Sequence, residues 1–276
     1  MGAAAVSSVG IGWRKVLNVE GCPDGDGIMG PIATSFLASL GAGLATGIGA
    51  LPALFFSKAS DRLLDAMLGF AGGVMIAASM FGLLVPAFRL GGIPVTILGS
   101  IIGVLFLDRA NLLIPHLHRL RGAEGPSARL RRAWLVLLAM VIHNIPEGLA
   151  VGVSFGQDES ASGPMLAFGI GLQNVPEGLA VAFPLMREGY SRWKAVAYAT
   201  LTGLVEPVAS LLGVSLVTAV ETFLPIGLAF AAGAMLYVVF QEIIPESHRR
   251  GFQRETTFST LLGIIFMVSL AYSVSL

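Results

Sequence analysis

Two six-residue motifs carry the same residue types at the same spacing, and those residue types can bind a metal ion. They are His143-Asn144-Ile145-Pro146-Glu147-Gly148 and Gln173-Asn174-Val175-Pro176-Glu177-Gly178. Side chains four positions apart share one face of an α-helix, so His143 points the same way as Glu147. The same holds for the first and fifth residues of the second motif, and each asparagine lies near the same face. Each motif therefore offers one carboxylate and one or two neutral nitrogen or oxygen ligands.

Both motifs lie in apolar segments long enough to cross a lipid bilayer. The 276 residues are 55% hydrophobic and only 12% charged, and the mean hydropathy is +0.80. A soluble domain carries about 25% charged residues, so the composition predicts a polytopic membrane protein in contact with lipid. The formal net charge is zero, which gives no indication of a nucleic-acid partner. The single cysteine, Cys22, excludes a cysteine-cluster metal site.

The hydropathy pattern predicts an all-α bundle of eight membrane-spanning helices. A poorly defined N-terminal segment over 1–30 precedes one transmembrane domain over 31–276. Connections are short, so consecutive helices are expected to be antiparallel neighbours. The predicted spans are roughly 33–57, 65–87, 92–114, 132–156, 163–186, 194–218, 222–245 and 257–275.

The distribution of Lys and Arg predicts the orientation of these spans in the cell inner membrane. Fourteen of the 17 basic residues fall at the odd-numbered loops, and cytoplasmic loops are the ones enriched in Lys and Arg. Arg89 is the one basic residue in the even-numbered loops, while Arg14 and Lys15 lie in the N-terminal segment. The odd-numbered loops are therefore predicted to be cytoplasmic, and the C-terminus to lie outside.

The two motifs extend into a longer internal similarity. Residues 143–153 and 173–183 differ at four of eleven positions and lie on neighbouring spans that are expected to be antiparallel. A two-fold axis in the membrane plane would superimpose them. This pattern predicts an inverted repeat, with a binding site near the midplane between its halves.

A third carboxylate, Glu206 in the sixth predicted span, precedes Pro207. A charged side chain at the bilayer centre costs about 2.5–3.5 kcal/mol on insertion scales. No Lys or Arg falls at midplane depth in a predicted span, which leaves protons or a bound metal ion as counter-ions. Three carboxylates, an imidazole and amide oxygens without a thiolate suit Zn²⁺, Fe²⁺, Mn²⁺, Co²⁺ or Cd²⁺.

Met75 in the second predicted span is a further candidate ligand. It is the one long member of a stripe of small residues at helical spacing, namely Ala71, Met75, Ala78 and Gly82. A methionine on such a stripe usually serves packing, but its thioether is also a soft ligand for zinc or cadmium. The spacing leaves both roles open.

The paired motifs resemble those of the ZIP (Zrt-, Irt-like protein) family of divalent metal transporters, and look closest to its bacterial branch. The resemblance covers all eight predicted spans and implies a two-metal site lined by spans four and five. It implies that the first ion is held by Met75, His143, Glu147, Gln173 and Glu177. It implies that the second ion is held by Asn144, Glu147, Asn174, Glu177 and Glu206.

The resemblance also implies a mechanism and a direction. Zn²⁺ or Fe²⁺ would move into the cytoplasm while spans one, four, five and six slide against the others. Gln241 and Glu242 match positions on the cytoplasmic exit path of the family. Position 173 is Gln where many members have His, and position 174 is Asn where some relatives have Asp.

The function predicted is alternating-access transport of a divalent metal, with Zn²⁺ as the leading candidate and no enzymatic activity. The metal is then a transported substrate, and no cofactor is expected. An intramembrane metal-dependent hydrolase would use the same ligands to activate water, but no HExxH motif is present and every candidate base is also a candidate ligand. A proton channel is a third interpretation. Metal preference stays open, and a homodimer is compatible with the sequence without being indicated by a motif.

Overall fold

Apolar α-helices account for most of the chain in the computed structural model, which describes residues 30–114, 116–118, 122–124, 132–156 and 162–275. Pro31–Leu276 forms one compact unit. The predicted N-terminal segment lies outside the described residues except for Gly30. The helices are α1 Pro31–Ala50, α2 Pro52–Phe55, α3 Asp61–Ala77, α4 Val85–Leu113, α5 Arg132–Ser154, α6 Ser162–Arg187, α7 Arg192–Gly203, α8 Val205–Ala219, α9 Leu224–Val238, α10 Ile244–Ser247 and α11 Gln253–Ser275.

Shorter elements connect several of these helices. A 3₁₀-helix covers Glu221–Phe223, and π-helices cover Ala78–Leu84 and Val239–Ile243. Each π-helix ends two residues before a proline, Pro86 or Pro245. Because proline has no N–H to donate to the carbonyl four residues earlier, the regular hydrogen-bond ladder cannot continue there. Strands β1 (His116–His118) and β2 (Gly122–Glu124) pair antiparallel, a hairpin that the hydropathy pattern did not predict.

Seven helical stretches among the described residues are long and apolar enough to cross a membrane. The stretch Asp61–Leu113 contains 53 residues, more than twice the roughly 20 that one helical crossing of a bilayer core requires. The sequence predicted two separate spans here, 65–87 and 92–114. Helical geometry breaks at Gly92 (φ 70°, ψ −178°), where the second predicted span begins. Glycine tolerates this positive φ because it lacks a Cβ.

The helix predicted over 194–218 is also interrupted. It ends at Gly203 and resumes at Val205, so Glu206 lies in the first turn of α8 and not deep inside a continuous helix. Pro207 explains the break, because it cannot donate a hydrogen bond to the carbonyl of Gly203. In contrast, Pro146 and Pro176 lie inside the continuous helices α5 and α6.

Close backbone approaches join five helices, α1, α5, α6, α7 and α8, which we call the first helix set. A Cβ on Gly43 would overlap the carbonyl of Gly203, and a Cβ on Gly178 would overlap the carbonyl of Thr46. Gly148 lies equally close to the backbone of Glu206. Small residues allow such approaches, which favour tight association of helices in a membrane. The motif-bearing helices α5 and α6 are therefore held against α1, α7 and α8.

The remaining long helices, α3, α4, α9 and α11, form the second helix set. Backbone approaches occur within it between α3 and α11, at Gly73 and Thr260, and between α4 and α9, at Gly103 and Phe230. Glycines that face the other set meet only side chains, as Gly82 does with Leu166 and Gly169 with Met267. At its glycines, each set therefore meets the other through side chains, whereas backbone approaches occur within each set.

Gly43 and Gly41, two residues apart on α1, allow a test of this packing. Gly43→Ala places a methyl group against the backbone of Gly203, and such overpacking costs about 1–3 kcal/mol. Gly41 has nothing within 4 Å of its ideal Cβ position, so Gly41→Ala should leave stability unchanged or raise it slightly. Thermal unfolding of the detergent-solubilised variants, followed by size-exclusion fluorescence, measures both effects. Equal stability of the two variants would contradict the close contact of α1 with α7.

Candidate metal centre

Seven of the sequence-predicted ligands are buried together between α5, α6 and the start of α8. Helix α5 carries His143, Asn144 and Glu147, helix α6 carries Gln173, Asn174 and Glu177, and α8 carries Glu206. His143 is 3% exposed, and the other six are 0% exposed. The structure therefore brings both motifs and Glu206 into the interior of the first helix set.

His143, Glu147 and Glu177 form the tightest group among these residues. Each offers a ligand atom, and the three atoms lie within 4.8 Å of one another. Zinc binds imidazole nitrogen and carboxylate oxygen at about 2.0–2.2 Å, so ligands around one ion are at most about 4.4 Å apart. The group is thus close to the spacing that a single divalent ion requires.

His143 lies between two carboxylates. Its Nε2 is 3.7 Å from Oε1 of Glu177, and its Nδ1 is 3.8 Å from Oε2 of Glu242. Glu242 belongs to the π-helix Val239–Ile243, and its side chain is 19% exposed, in contrast to the buried motif residues. The imidazole therefore links the buried group to a carboxylate that reaches the surface.

The carboxamides are oriented by hydrogen bonds that use their nitrogen atoms. Nε2 of Gln173 donates to Oε1 of Glu147 at 2.5 Å. Nδ2 of Asn144 donates to the carbonyl of Thr202 at 2.8 Å, a carbonyl in the last turn of α7. Because a carbonyl can only accept, the amide oxygen of Asn144 must point the other way.

Asn174 makes two such bonds. Its Nδ2 donates to the carbonyl of Ala42 at 2.8 Å and to Oε1 of Glu206 at 2.7 Å. Sequence reasoning placed Asn174 and Glu206 at the same implied ion but did not predict the hydrogen bond between them. It also missed the backbone carbonyls of Ala42 and Thr202. The residue type does not reveal which backbone carbonyl will accept a hydrogen bond from a distant side chain. The only signal in the sequence is that each of these two residues precedes a glycine, Gly43 or Gly203, which allows another helix to come close.

Eight buried side-chain atoms in this region have no hydrogen-bond partner among the described residues. Buried polar atoms are normally paired, and each exception needs an explanation. No Lys or Arg among the described residues forms an ion pair with the three buried glutamates. A divalent cation would satisfy several of these atoms at once. They are His143 Nε2, Asn144 Oδ1, Glu147 Oε2, Gln173 Oε1, Asn174 Oδ1, Glu177 Oε1 and Oε2, and Glu206 Oε2.

Two further predicted residues lie outside this group. Met75 is fully buried on α3, in the apolar core cluster that also contains Ile142 and Ile170. Gln241 is half-buried in the π-helix beside Glu242. A ligand role for Met75 and an exit role for Gln241 therefore stay predictions.

Comparison with known proteins agrees with a metal-transport site. A family model described as ZIP zinc transporter matches residues 116–271. The chain is 44% identical to the zinc transporter GufA of Myxococcus xanthus, over 88% of this chain and 99% of that protein. It is 38% identical to the zinc transporter ZIPB of Bordetella bronchiseptica, over 82% of this chain and 76% of that protein. It is also 35% identical to the human zinc transporter ZIP11, over 82% and 92% of the two chains.

The position of His143 between two carboxylates predicts that it contributes to metal affinity. His143→Ala should weaken Zn²⁺ binding by the purified protein at least tenfold, since loss of even an indirect partner of a metal costs 10–100-fold. The matched control is His248→Ala, because His248 contacts the carbonyl of Ile244 and lies outside the buried group. Isothermal titration of both variants measures the difference. An equal affinity for the two variants would exclude His143 as a ligand.

Proposed function

The chain belongs to the ZIP family of zinc transporters, and we propose that it carries Zn²⁺ across the membrane into the cytoplasm through the buried group of His143, Glu147 and Glu177. The observation that carries the proposal is this group itself: one imidazole and two carboxylates, at most 3% exposed, with ligand atoms within 4.8 Å. These buried carboxylates have no Lys or Arg partner among the described residues, so protons or a metal ion must balance their charge. A transported ion would do so during its passage.

The ligand chemistry supports reversible binding of a divalent ion. Imidazole and carboxylate donors suit borderline and hard ions, which include Fe²⁺, Mn²⁺ and Cd²⁺ as well as Zn²⁺. Conduction requires that a site bind well enough to accept the ion and weakly enough to release it. A site without thiolates meets the second condition. Similarity to zinc transporters favours transport over hydrolysis.

Eight membrane crossings follow if Asp61–Leu113 crosses twice. The non-helical Gly92 divides this stretch, and its length exceeds one crossing by more than a factor of two. An even number of crossings places Pro31 and Ser275 on the same side. The concentration of Lys and Arg at the odd-numbered loops supports a cytoplasmic position for those loops and an outer position for the C-terminus.

The two motifs are proposed to be halves of an inverted repeat. They lie on consecutive helices that contact each other, and each contributes a glutamate to the same buried group. Their carboxamides also behave alike. Asn144 and Asn174 each donate to a backbone carbonyl of a neighbouring helix, Thr202 on α7 or Ala42 on α1.

Alternating access is proposed to come from movement of the first helix set against the second. The support is the difference in their contacts: backbone approaches occur within each set, and side-chain contacts join the two. Side-chain contacts can be exchanged during sliding, whereas interlocked backbones cannot separate without loss of packing. Glu242, partly exposed beside His143, is then the first acceptor on the route to the cytoplasm.

Metal uptake by proteoliposomes tests the proposed function directly. The protein should transport Zn²⁺ or Cd²⁺, and Glu147→Ala combined with Glu177→Ala should reduce the initial rate at least tenfold because both buried carboxylates are lost. Glu221→Ala combined with Glu255→Ala is the matched control, since these glutamates lie outside the buried group. Unchanged uptake after loss of Glu147 and Glu177 would refute the assignment.

Cross-linking tests the proposed movement. Asp61 on α3 and Arg187 on α6 form an exposed ion pair between the two sets, at 3.3 Å. Arg62 on α3 and Glu255 on α11 form a similar pair within the second set, at 2.9 Å. In a Cys22→Ser background, a short thiol-to-thiol reagent joining cysteines at 61 and 187 should abolish uptake. The same reagent joining cysteines at 62 and 255 should not.

The control pair distinguishes restricted movement from chemical damage, because it lies next to the first pair and reacts with the same reagent. Uptake that survives a complete 61–187 cross-link would show that the two sets do not need to move at this end.

A further inference from the structure

Asn174 is fixed in one orientation by the groups around it. The carbonyl of Ala42 can only accept a hydrogen bond, so the amide nitrogen of Asn174 must face it, at 2.8 Å. The second N–H of that nitrogen donates to Oε1 of Glu206, at 2.7 Å. If the amide group of Asn174 were flipped, its oxygen would face two acceptors, the carbonyl of Ala42 and the carboxylate of Glu206. Both donors of Asn174 are therefore in use, and one of them holds Glu206.

Glu206 is separated from the group formed by the other ligands. His143, Glu147 and Glu177 offer atoms within 4.8 Å of one another, and no group of this kind among the described residues includes Glu206. The carboxylate oxygen of Glu206 that accepts from Asn174 lies against α1, where a Cβ on Gly43 would be 3.5 Å away. Since ligands of one zinc ion are at most about 4.4 Å apart, Glu206 does not share an ion with both motif glutamates in this arrangement.

The charges of the carboxylates also separate Glu206 from the group of His143, Glu147 and Glu177. Glu147 and Glu177 together carry the two negative charges that match one divalent ion. A second divalent ion would find only Glu206 as an additional carboxylate, because Asn144, Asn174 and Gln173 are neutral. The hydrogen bond from Asn174 already partners one oxygen of Glu206 without a metal.

We propose that the site holds one ion at a time, at His143, Glu147 and Glu177, and that Asn174 determines this number by holding Glu206 in a hydrogen bond. This inference rests on the proposed function. It replaces the two-ion site that the family resemblance implies with a one-ion site in this chain. Asn174 acts through Glu206 and is thus a positioning residue for the single ion.

The number of bound ions tests the inference. The purified protein in detergent is saturated with Zn²⁺, freed of excess by gel filtration, and analysed for metal and protein content. Ions that remain bound to the Glu147→Ala/Glu177→Ala variant are subtracted as surface binding. The expected number is one per chain. A number of two in the unmodified protein would overturn the proposal.

Asn174→Asp should raise the number to two, because it removes both amide donors and adds a carboxylate next to Glu206. The matched control is Asn144→Asp, which adds the same charge to the other motif and leaves the bond between Asn174 and Glu206 intact; it should still bind one ion. If both variants bind one ion, or both bind two, Asn174 does not set the number. The count for the unmodified protein remains decisive if either variant fails to fold.

Zinc uptake measured on the same preparations separates this inference from the proposed function. Absence of both uptake and motif-dependent binding refutes the transport function. Normal uptake with two bound ions refutes only the single-ion site.

Discussion

The site depends on three carboxylates that are buried in an apolar bundle, where no Lys or Arg among the described residues pairs with them. Burying an ionised carboxylate without a partner is unfavourable by several kcal/mol. Glu147, Glu177 and Glu206 are nevertheless 0% exposed. Carboxamide donors reduce this cost for two of them, Glu147 through Gln173 and Glu206 through Asn174. Both carboxylate oxygens of Glu177 lack a hydrogen-bond partner among the described residues, and Nε2 of His143 lies 3.7 Å from one of them, so an external cation would have most to stabilise at Glu177.

Much of the site could be predicted from the sequence because its main determinants are local. The spacing of His143 and Glu147 places both side chains on one helix face, and apolar flanking residues imply burial. The similarity of the second motif places a second carboxylate near the first. These features need only helical periodicity and hydropathy, which the sequence contains directly.

Other features depend on contacts between distant segments. The bonds from Asn174 to Ala42 and from Asn144 to Thr202 join residues that are 132 and 58 positions apart, and their acceptors are backbone carbonyls. The sequence divides the stretch Asp61–Leu113 between residues 87 and 92, and the structure has its break at Gly92, but helical turns follow on both sides without an intervening loop. The eight predicted spans therefore correspond to seven long helical stretches among the described residues.

The break between α7 and α8 has a consequence for Glu206 that concerns the peptide backbone. At the N-terminus of a helix the first N–H groups have no intrahelical acceptor, and the aligned peptide dipoles produce about half a positive charge. Glu206 lies in this first turn of α8. Had the helix continued from Trp193 to Thr218 without interruption, the carboxylate would lie mid-helix, where this field is weak. The last turn of α7 and the first turn of α8 therefore meet beside the buried site, and this one break provides both the backbone carbonyl of Thr202 that orients Asn144 and the helix start that carries Glu206.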